Sequence, residues 1–418
     1  MPSQYKIIRD SIHGNIKIDG LFLELLSTPE LQRLYNIKQL GLAHLVFPGA
    51  HHTRLEHSLG AYAIACKICD TLHLGEEESL FLRCASLLHD IGHGPFSHTL
   101  ESILRNSLDV DHIDLTGKLI FGDYKIFHDF EEQFVESKTV SEILEEYNVE
   151  KTVITEMIQG GETTPSFLSQ LINGAIDVDQ LDYLLRDSYY TGVAYGMFDL
   201  ERLLQTLEIY NGEIAVSRKG VGVIENILMA RALMYSSVYF HKTVRIAELM
   251  LSKTIELTED ITPIDFFKMT DAEFITSLRE KGDFQREIVT RLKYRNLFKQ
   301  AYMLPPYQLD EEKKETLIKL NNVDFRREKE REFEETLGIP RGYIIIDAPS
   351  NELHQSEPRL LRTNIPIIEQ GEKKSLEEFT PVADAIRMRA IPDWIVMVIC
   401  DEKQREKVSK HTEEILFN

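Results

Sequence analysis

The sequence predicts a mainly α protein: a helical body carrying a short N-terminal β-hairpin, with a smaller C-terminal α/β lobe. Three observations predict it. Apolar residues recur at three- and four-residue spacing from Leu21 to about Lys299, the period of helices buried on one face. Two short strand-like runs, Tyr5–Arg9 and Asn15–Asp19, flank the turn signal His13-Gly14. Strand-like runs then return only after Pro305-Pro306. With 418 residues the chain has length for more than one domain. The boundary is placed near 300, with residues 1–300 as the helical domain, its hairpin at 5–20, and residues 301–418 as the smaller domain.

Taken in order, the hairpin leads into a helix over Leu21–Leu26. Thr28-Pro29-Glu30 then reads as a helix start, because a proline in the first turn lacks only a donor that would have no partner there. Helical periodicity continues in Ser58–Leu72, Ser79–His89, Val140–Tyr147, Ala175–Arg186 and Gly222–Leu251. Asp310–Glu335 is densely charged with mixed signs, which reads as solvated helices with i,i+4 pairing. Gly342–Asp347, Ile365–Glu369 and Trp394–Cys400 read as strands. There is no internal repeat and no low-complexity tract.

Composition is that of a globular chain. Runs such as Trp394–Cys400 fall short of the roughly 20 apolar residues a membrane helix needs. No membrane helix is therefore expected, and the N-terminal segment lacks the apolar core of a signal peptide, so a cytoplasmic location is expected. Cys66 and Cys69 form a C-x-x-C inside a helix-like run, without a second pair at metal-finger spacing. They, Cys84 and Cys400 read as small buried hydrophobes. Lys+Arg 47 against Asp+Glu 68 gives a net charge of −21, which disfavours general nucleic-acid binding. An anionic small molecule would need a site that gathers its own cations.

The chemistry concentrates in Leu87–His98, where an apolar helix runs into His89-Asp90 and breaks into a Gly/Pro loop carrying His93 and His98. Upstream, Thr53-Arg54-Leu-Glu-His57 opens another helix; downstream, Asp177-Val-Asp179-Gln-Leu-Asp182 supplies an acidic face. Two histidines and two aspartates from separate helices can surround one divalent cation, and their nitrogen and oxygen donors suit Mn, Fe, Zn, Mg or Ni. A second His-Asp pair, His128-Asp129, has no helix break or further histidines nearby and reads as a surface or capping feature.

The set His57, His89-Asp90 and Asp179 resembles the H…HD…D signature of the HD phosphohydrolase superfamily, so the helical body is expected to be an HD domain. More narrowly, several motifs resemble the deoxynucleoside triphosphate triphosphohydrolases related to the vertebrate enzyme that carries a SAM domain. They are Asp10-Ser-Ile-His-Gly14, Gln32-Arg33-Leu34, Lys38-Gln39-Leu40-Gly41, Arg54-Leu-Glu-His57-Ser-Leu-Gly60, the His89–His98 block, Asp182-Tyr183, Arg186-Asp187 and Tyr239-Phe-His-Lys242. The resemblance runs from about residue 5 to 300.

It implies a metal held by His57, His89, Asp90 and Asp179, and hydrolysis of dNTPs to deoxynucleoside and intact triphosphate. His93, His98 and His112 are then the candidates for protonating the leaving oxygen. Ile113 stands where the family has a carboxylate beside the second histidine, leaving Asp114 as one source of support for His112. Arg54, Arg231 and Lys242 match cationic substrate positions, and Gln39, Tyr183, Asp187 and Tyr239 match positions around the sugar. Gln180 replaces a lysine next to the last metal aspartate. Lys6, Gln32, Arg202, Lys219, Arg295 and Lys299 match a regulatory nucleotide site between subunits. Ser27 and Tyr35 replace the residues that read a guanine, so a homo-oligomer, dimer or tetramer, without strict GTP dependence is expected. The alternatives are an HD phosphohydrolase acting on another nucleotide, and a non-catalytic nucleotide-sensing oligomer.

Overall fold

The computed structural model describes residues 5–97, 111–161, 166–258, 266–349, 364–387 and 393–417. Strands β1 (Tyr5–Asp10) and β2 (Gly14–Asp19) form the expected antiparallel hairpin, in register from Tyr5 opposite Asp19 to Asp10 opposite Gly14. Its turn needs the left-handed backbone that Gly14 adopts at φ +76°. Ile16 and Ile18 of β2 face the core.

Helices α1 (Gly20–Leu26) and α2 (Pro29–Arg33) follow, the second capped by Thr28, whose hydroxyl accepts the Leu31 N–H. Helix α3 (Arg54–Leu72) starts at a capping box in which Thr53 and Glu56 satisfy each other's free backbone N–H groups. Helices α4 (Glu76–Leu88), α5 (His112–Phe121) and α6 (Val178–Thr191) complete the frame of the site. Leu55, Leu59 and Ile64 of α3 share one core with Leu82, Leu87 and Leu88 of α4 and Leu181 and Leu184 of α6. The expected helix over Ala175–Arg186 begins instead at Val178, because the Asp177 carboxylate accepts the Gln180 N–H and stops the helix there.

Two departures from the expected pattern lie in the body. Strands β3 (Leu207–Tyr210) and β4 (Glu213–Ser217) form a hairpin inside the region read as helical. Its loop is Asn211-Gly212, at φ +51° and +80°, the pair a two-residue turn of this hand requires. The run Gly222–Leu251 is not one helix: α7 (Val221–Met234) widens into a π-turn over Tyr235–Tyr239, breaks at Phe240, and restarts as α8 (Lys242–Glu256). Periodicity hides such a break, since one widened turn shifts the apolar stripe without interrupting it. The stretch Arg218–Tyr239 is also long and apolar enough by composition to cross a bilayer, contrary to expectation. Here Val221, Ile224, Ile227, Leu228 and Met234 line the protein core.

Beyond Lys299, β5 (Lys299–Leu304), β6 (Ile344–Asp347) and β9 (Val396–Cys400) make an antiparallel sheet with β9 central. Alternate residues explain its apolar strands: Ile345, Met397 and Ile399 pack towards α8 and the helix Asp283–Lys293. Ile344, Ile346, Val396 and Val398 pack towards α9 (Val323–Leu337) and α10 (Arg405–Phe417). Strands β7 (Ile367–Glu369) and β8 (Glu372–Lys374) belong elsewhere. Strand β7 pairs in parallel with β4, Val216 opposite Ile367, giving the sheet β3-β4-β7-β8. Ile365, Ile367, Leu376 and Ile386 thereby join the core of the helical body. All four cysteines are free; Cys69, Cys84 and Cys400 are buried and Cys66 is half-buried, and burial pushes the thiols of Cys66 and Cys84 up to about 11 and about 12.

Candidate functional site

Three helix ends meet at one point. The first turn of α3 brings Arg54 and His57, the end of α4 brings His89 and Asp90, and the first turn of α6 brings Asp179. The Nε2 atoms of His57 and His89 are 3.2 Å apart. Asp179 Oδ1 lies 3.0 Å from the first and 3.9 Å from the second. Asp90 lies 3.4 Å from His89 Nε2 through Oδ1 and 4.0 Å from His57 Nε2 through Oδ2.

The outer nitrogens fix the protons. His89 Nδ1 is 2.9 Å from the carbonyl oxygen of Ser86, which only accepts, so Nδ1 carries a hydrogen and Nε2 faces the cluster. The Asp182 carboxylate, 2.8 Å from His57 Nδ1, likewise accepts a hydrogen from it. Two imidazoles and two carboxylates thus face one centre, a donor set suited to a divalent cation. His57, His89 and Asp90 lie close enough together to share one ion, with Asp179 Oδ1 beside the two imidazoles. Among protein groups alone, burial disfavours charge on His57, but the Asp179 and Asp182 carboxylates outweigh it and raise its pKa to about 10. Burial raises the pKa of Asp90, yet the neighbouring His89, His93 and Arg54 hold it well below the usual carboxylate range.

His93 lies beside the cluster, its Nε2 3.2 Å from Asp90 Oδ1, and its ring stacks on His112 at 3.9 Å between centroids. Burial, Arg54 and His112 push its pKa well below the ordinary histidine value, with Asp90 opposing them. Gly92 makes this stacking possible: a Cβ there would lie 2.2 Å from the His112 carbonyl oxygen and 2.5 Å from Thr116 N. Asp114 accepts the Asp111 N–H at 3.2 Å as part of the cap of α5. His98 lies outside the described residues.

A second group of predicted residues adjoins the first. Asp187 accepts from Tyr239 OH at 2.7 Å through Oδ2 and pairs with His52 Nε2 at 2.7 Å through Oδ1. Tyr183 meets Tyr239 edge to face at 6.0 Å. Gln39 donates its backbone N–H to the His52 carbonyl, and its buried Oε1 has no hydrogen-bond partner among the described residues. Arg54 donates to Asp90 at 2.7 Å. Arg231, fully buried, donates to Gln180 Oε1 at 3.1 Å, which places a guanidinium beside the residue that follows Asp179. Lys242 is exposed and donates to Gln300 Oε1 on β5, not to any of these residues.

The residues matched to a regulatory site make these contacts within the chain. Arg202 donates to the Lys219 carbonyl, Gln32 to that of Leu26 and Arg295 to that of Leu45. Lys6 lies on β1 and Lys299 begins β5. Four partners had no assigned role from sequence: Asp182, His13, His52 and Arg33. Asp182 is three residues after Asp179 on the same helix and was legible in principle; His52 carried no local signal.

The model of the HD domain matches residues 54–187, and that of the HD associated region matches residues 198–417. The chain belongs to the HD-domain family. As an HD-superfamily phosphohydrolase it shares 34% identity with an uncharacterized protein of Methanocaldococcus jannaschii, over 97% of this chain and 81% of that one. It is 30% identical to the deoxynucleoside triphosphate triphosphohydrolase SAMHD1 of Homo sapiens, over 70% of this chain and 54% of that one. The chain thus spans about half of that relative. Among solved structures, a phosphohydrolase of Bacteroides thetaiotaomicron superposes with a TM-score of 0.69 at 27% identity, covering 96% of this chain and 100% of its own. In this HD-domain chain His57, His89 and Asp90 form a cluster able to hold a divalent metal.

Proposed function

We propose that the protein hydrolyses deoxynucleoside triphosphates to deoxynucleoside and inorganic triphosphate. The observation that carries the reading is the Asp187 carboxylate, fixed by His52 and Tyr239 on either side and placed on the same helix as Asp179 and Tyr183. A carboxylate so held suits a sugar hydroxyl, and the Tyr183–Tyr239 pair beside it supplies apolar ring surface for a carbon lacking one. The likeness to triphosphohydrolases of Homo sapiens and Dictyostelium discoideum supports the substrate class.

His57, His89, Asp90 and Asp179 would hold the metal, which supplies Lewis acidity at a phosphoryl oxygen and a more acidic water. Arg54 and Arg231 provide fixed positive charge for a polyanion inside an acidic molecule. Both are buried, so neither is screened as a surface cation would be. His93 and His112 are the groups that move a proton to the leaving 5′-oxygen. Lys6, Gln32, Arg202, Lys219, Arg295 and Lys299 would bind regulatory nucleotides as subunits assemble, without strict dependence on GTP.

Metal-defined protein incubated with each dNTP and NTP, with and without GTP, tests this. Triphosphate released from dNTPs alone, without an absolute need for GTP, is the expected product. Orthophosphate from monophosphates, with dNTPs left intact, would favour the other phosphohydrolase reading.

A further inference from the structure

The motif Asp10-Ser-Ile-His13-Gly14 has no part in the chemistry so far, yet its two ionisable side chains are buried at the back of the metal cluster. Asp10 caps its own turn: Oδ1 accepts the N–H groups of Ile12 and His13 at 2.9 and 2.7 Å, which fixes the His13 backbone. Asp10 Oδ2 accepts from Arg186 Nη1 at 2.8 Å. His13 Nε2 meets Asp182 Oδ1 at 2.7 Å, with the imidazole 3% exposed and the carboxylate fully buried. Asp182 also accepts from Arg186, through Nε at 2.8 Å and Nη2 at 3.0 Å, and its Oδ2 takes the Nδ1–H of His57. Both oxygens of one carboxylate are thereby committed, one of them to a metal-ligand candidate.

Space for this arrangement is made by Gly60, one turn after His57 on α3. A Cβ at Gly60 would fall 1.9 Å from Asp182 Oδ1 and 2.4 Å from Arg186 Nη2, so only glycine lets α6 come this close. Two motifs, Asp10–Gly14 and His57–Gly60, thus share one physical cause.

We infer that Asp182 is the positioning residue for the metal ligand His57, and that His13 on the N-terminal hairpin holds Asp182 in place, making the hairpin part of the metal centre. A carboxylate behind a ligating imidazole fixes its tautomer, aims its Nε2 and raises its basicity. His13 donates to the remaining oxygen lobe and prevents Asp182 from rotating towards Arg186 alone. The inference concerns metal affinity and holds whatever phosphate ester the site hydrolyses.

The test is metal retention without substrate: Mn(II) affinity of the full chain by chelator competition, with thermal unfolding of the metal-free protein measured alongside. Asp182→Asn is expected to weaken Mn(II) binding about 10- to 100-fold. His13→Ala is expected to weaken it less, and His13→Gln, which keeps a donor, to recover most of that loss. Parental Mn(II) affinity in folded Asp182→Asn or His13→Ala, or a His13→Gln variant as weak as His13→Ala, would overturn the inference. Should Asp182→Asn not fold, the two His13 variants decide alone. Failure of the dNTP assay with these affinities shifted as expected would overturn only the substrate reading.

Discussion

Glu30 sits in α2 almost wholly buried, with Oε1 accepting the Val140 N–H at 3.3 Å and Oε2 without a hydrogen-bond partner among the described residues. Burial pushes its pKa up to about 7, against 4.5 for an ordinary glutamate. The folded state therefore keeps this proton to higher pH than the unfolded chain does, so stability falls as pH rises from about 4.5 to 7 and is level above that range. Glu30→Gln removes the penalty. The variant is expected to match or modestly exceed the parent at pH 5 and to be more stable at pH 8 by on the order of 1–3 kcal/mol. Urea unfolding at the two pH values reads the difference, and an equal gap at both would refute it. At the same scale most of the cluster able to hold a metal was legible. His89 and Asp90 are adjacent, Arg54 and His57 fall in one helical turn, and short spacings survive folding because a helix converts them directly into position.

Helix α2 has only five residues, but it delivers Arg33 to the loop after Asp90. The guanidinium donates to the carbonyls of Ile91 at 3.1 Å, His93 at 2.6 Å and Met269 at 3.3 Å. Among the described residues it makes no ion pair, and its charge is carried on backbone dipoles alone. Burial accordingly lowers its pKa to about 10, still far above neutrality. Arg33→Met would leave those carbonyls unpaired and loosen the segment bearing His93. The expected result is a kcat lower by roughly 10- to 100-fold with KM little changed, measured on whichever substrate the hydrolysis assay identifies; a change confined to KM would contradict this role. The π-turn Tyr235–Tyr239 works similarly: it ends α7 with Tyr239 on Asp187, a placement a continuous helix over 222–251 would not give.

Across the whole molecule, backbone pairing passes over position 300. Strand β7 pairs with β4 about 150 residues earlier in the chain, and Ile367 is fully buried in the core of the helical body. Ile367→Ala is expected to cost about 2–5 kcal/mol in the unfolding of that body. Urea unfolding followed by tryptophan fluorescence and by far-UV circular dichroism would read it; a loss below about 0.5 kcal/mol would place the segment outside the core. A second tie is the buried Asp347, which accepts from Arg245 of α8 at 2.8 Å and from Trp394 Nε1 at 3.0 Å, joining the C-terminal sheet to the helix that begins at Lys242.

By itself the sequence determined the helical class, the N-terminal hairpin and the cluster His57, His89, Asp90 and Asp179. Each is encoded in spacings of a few residues, where chain geometry leaves little choice. Only the tertiary structure decided that Asp182 stands behind His57, that His52 holds Asp187, that Lys242 reaches Gln300, and that residues 365–386 return to the body. Those contacts join positions tens to hundreds of residues apart, and their partners are chosen by the packing of the whole chain, which no local periodicity records. Even Asn211-Gly212, a strong local turn signal, marks a hairpin whose partner strand β7 lies beyond the reach of any local pattern.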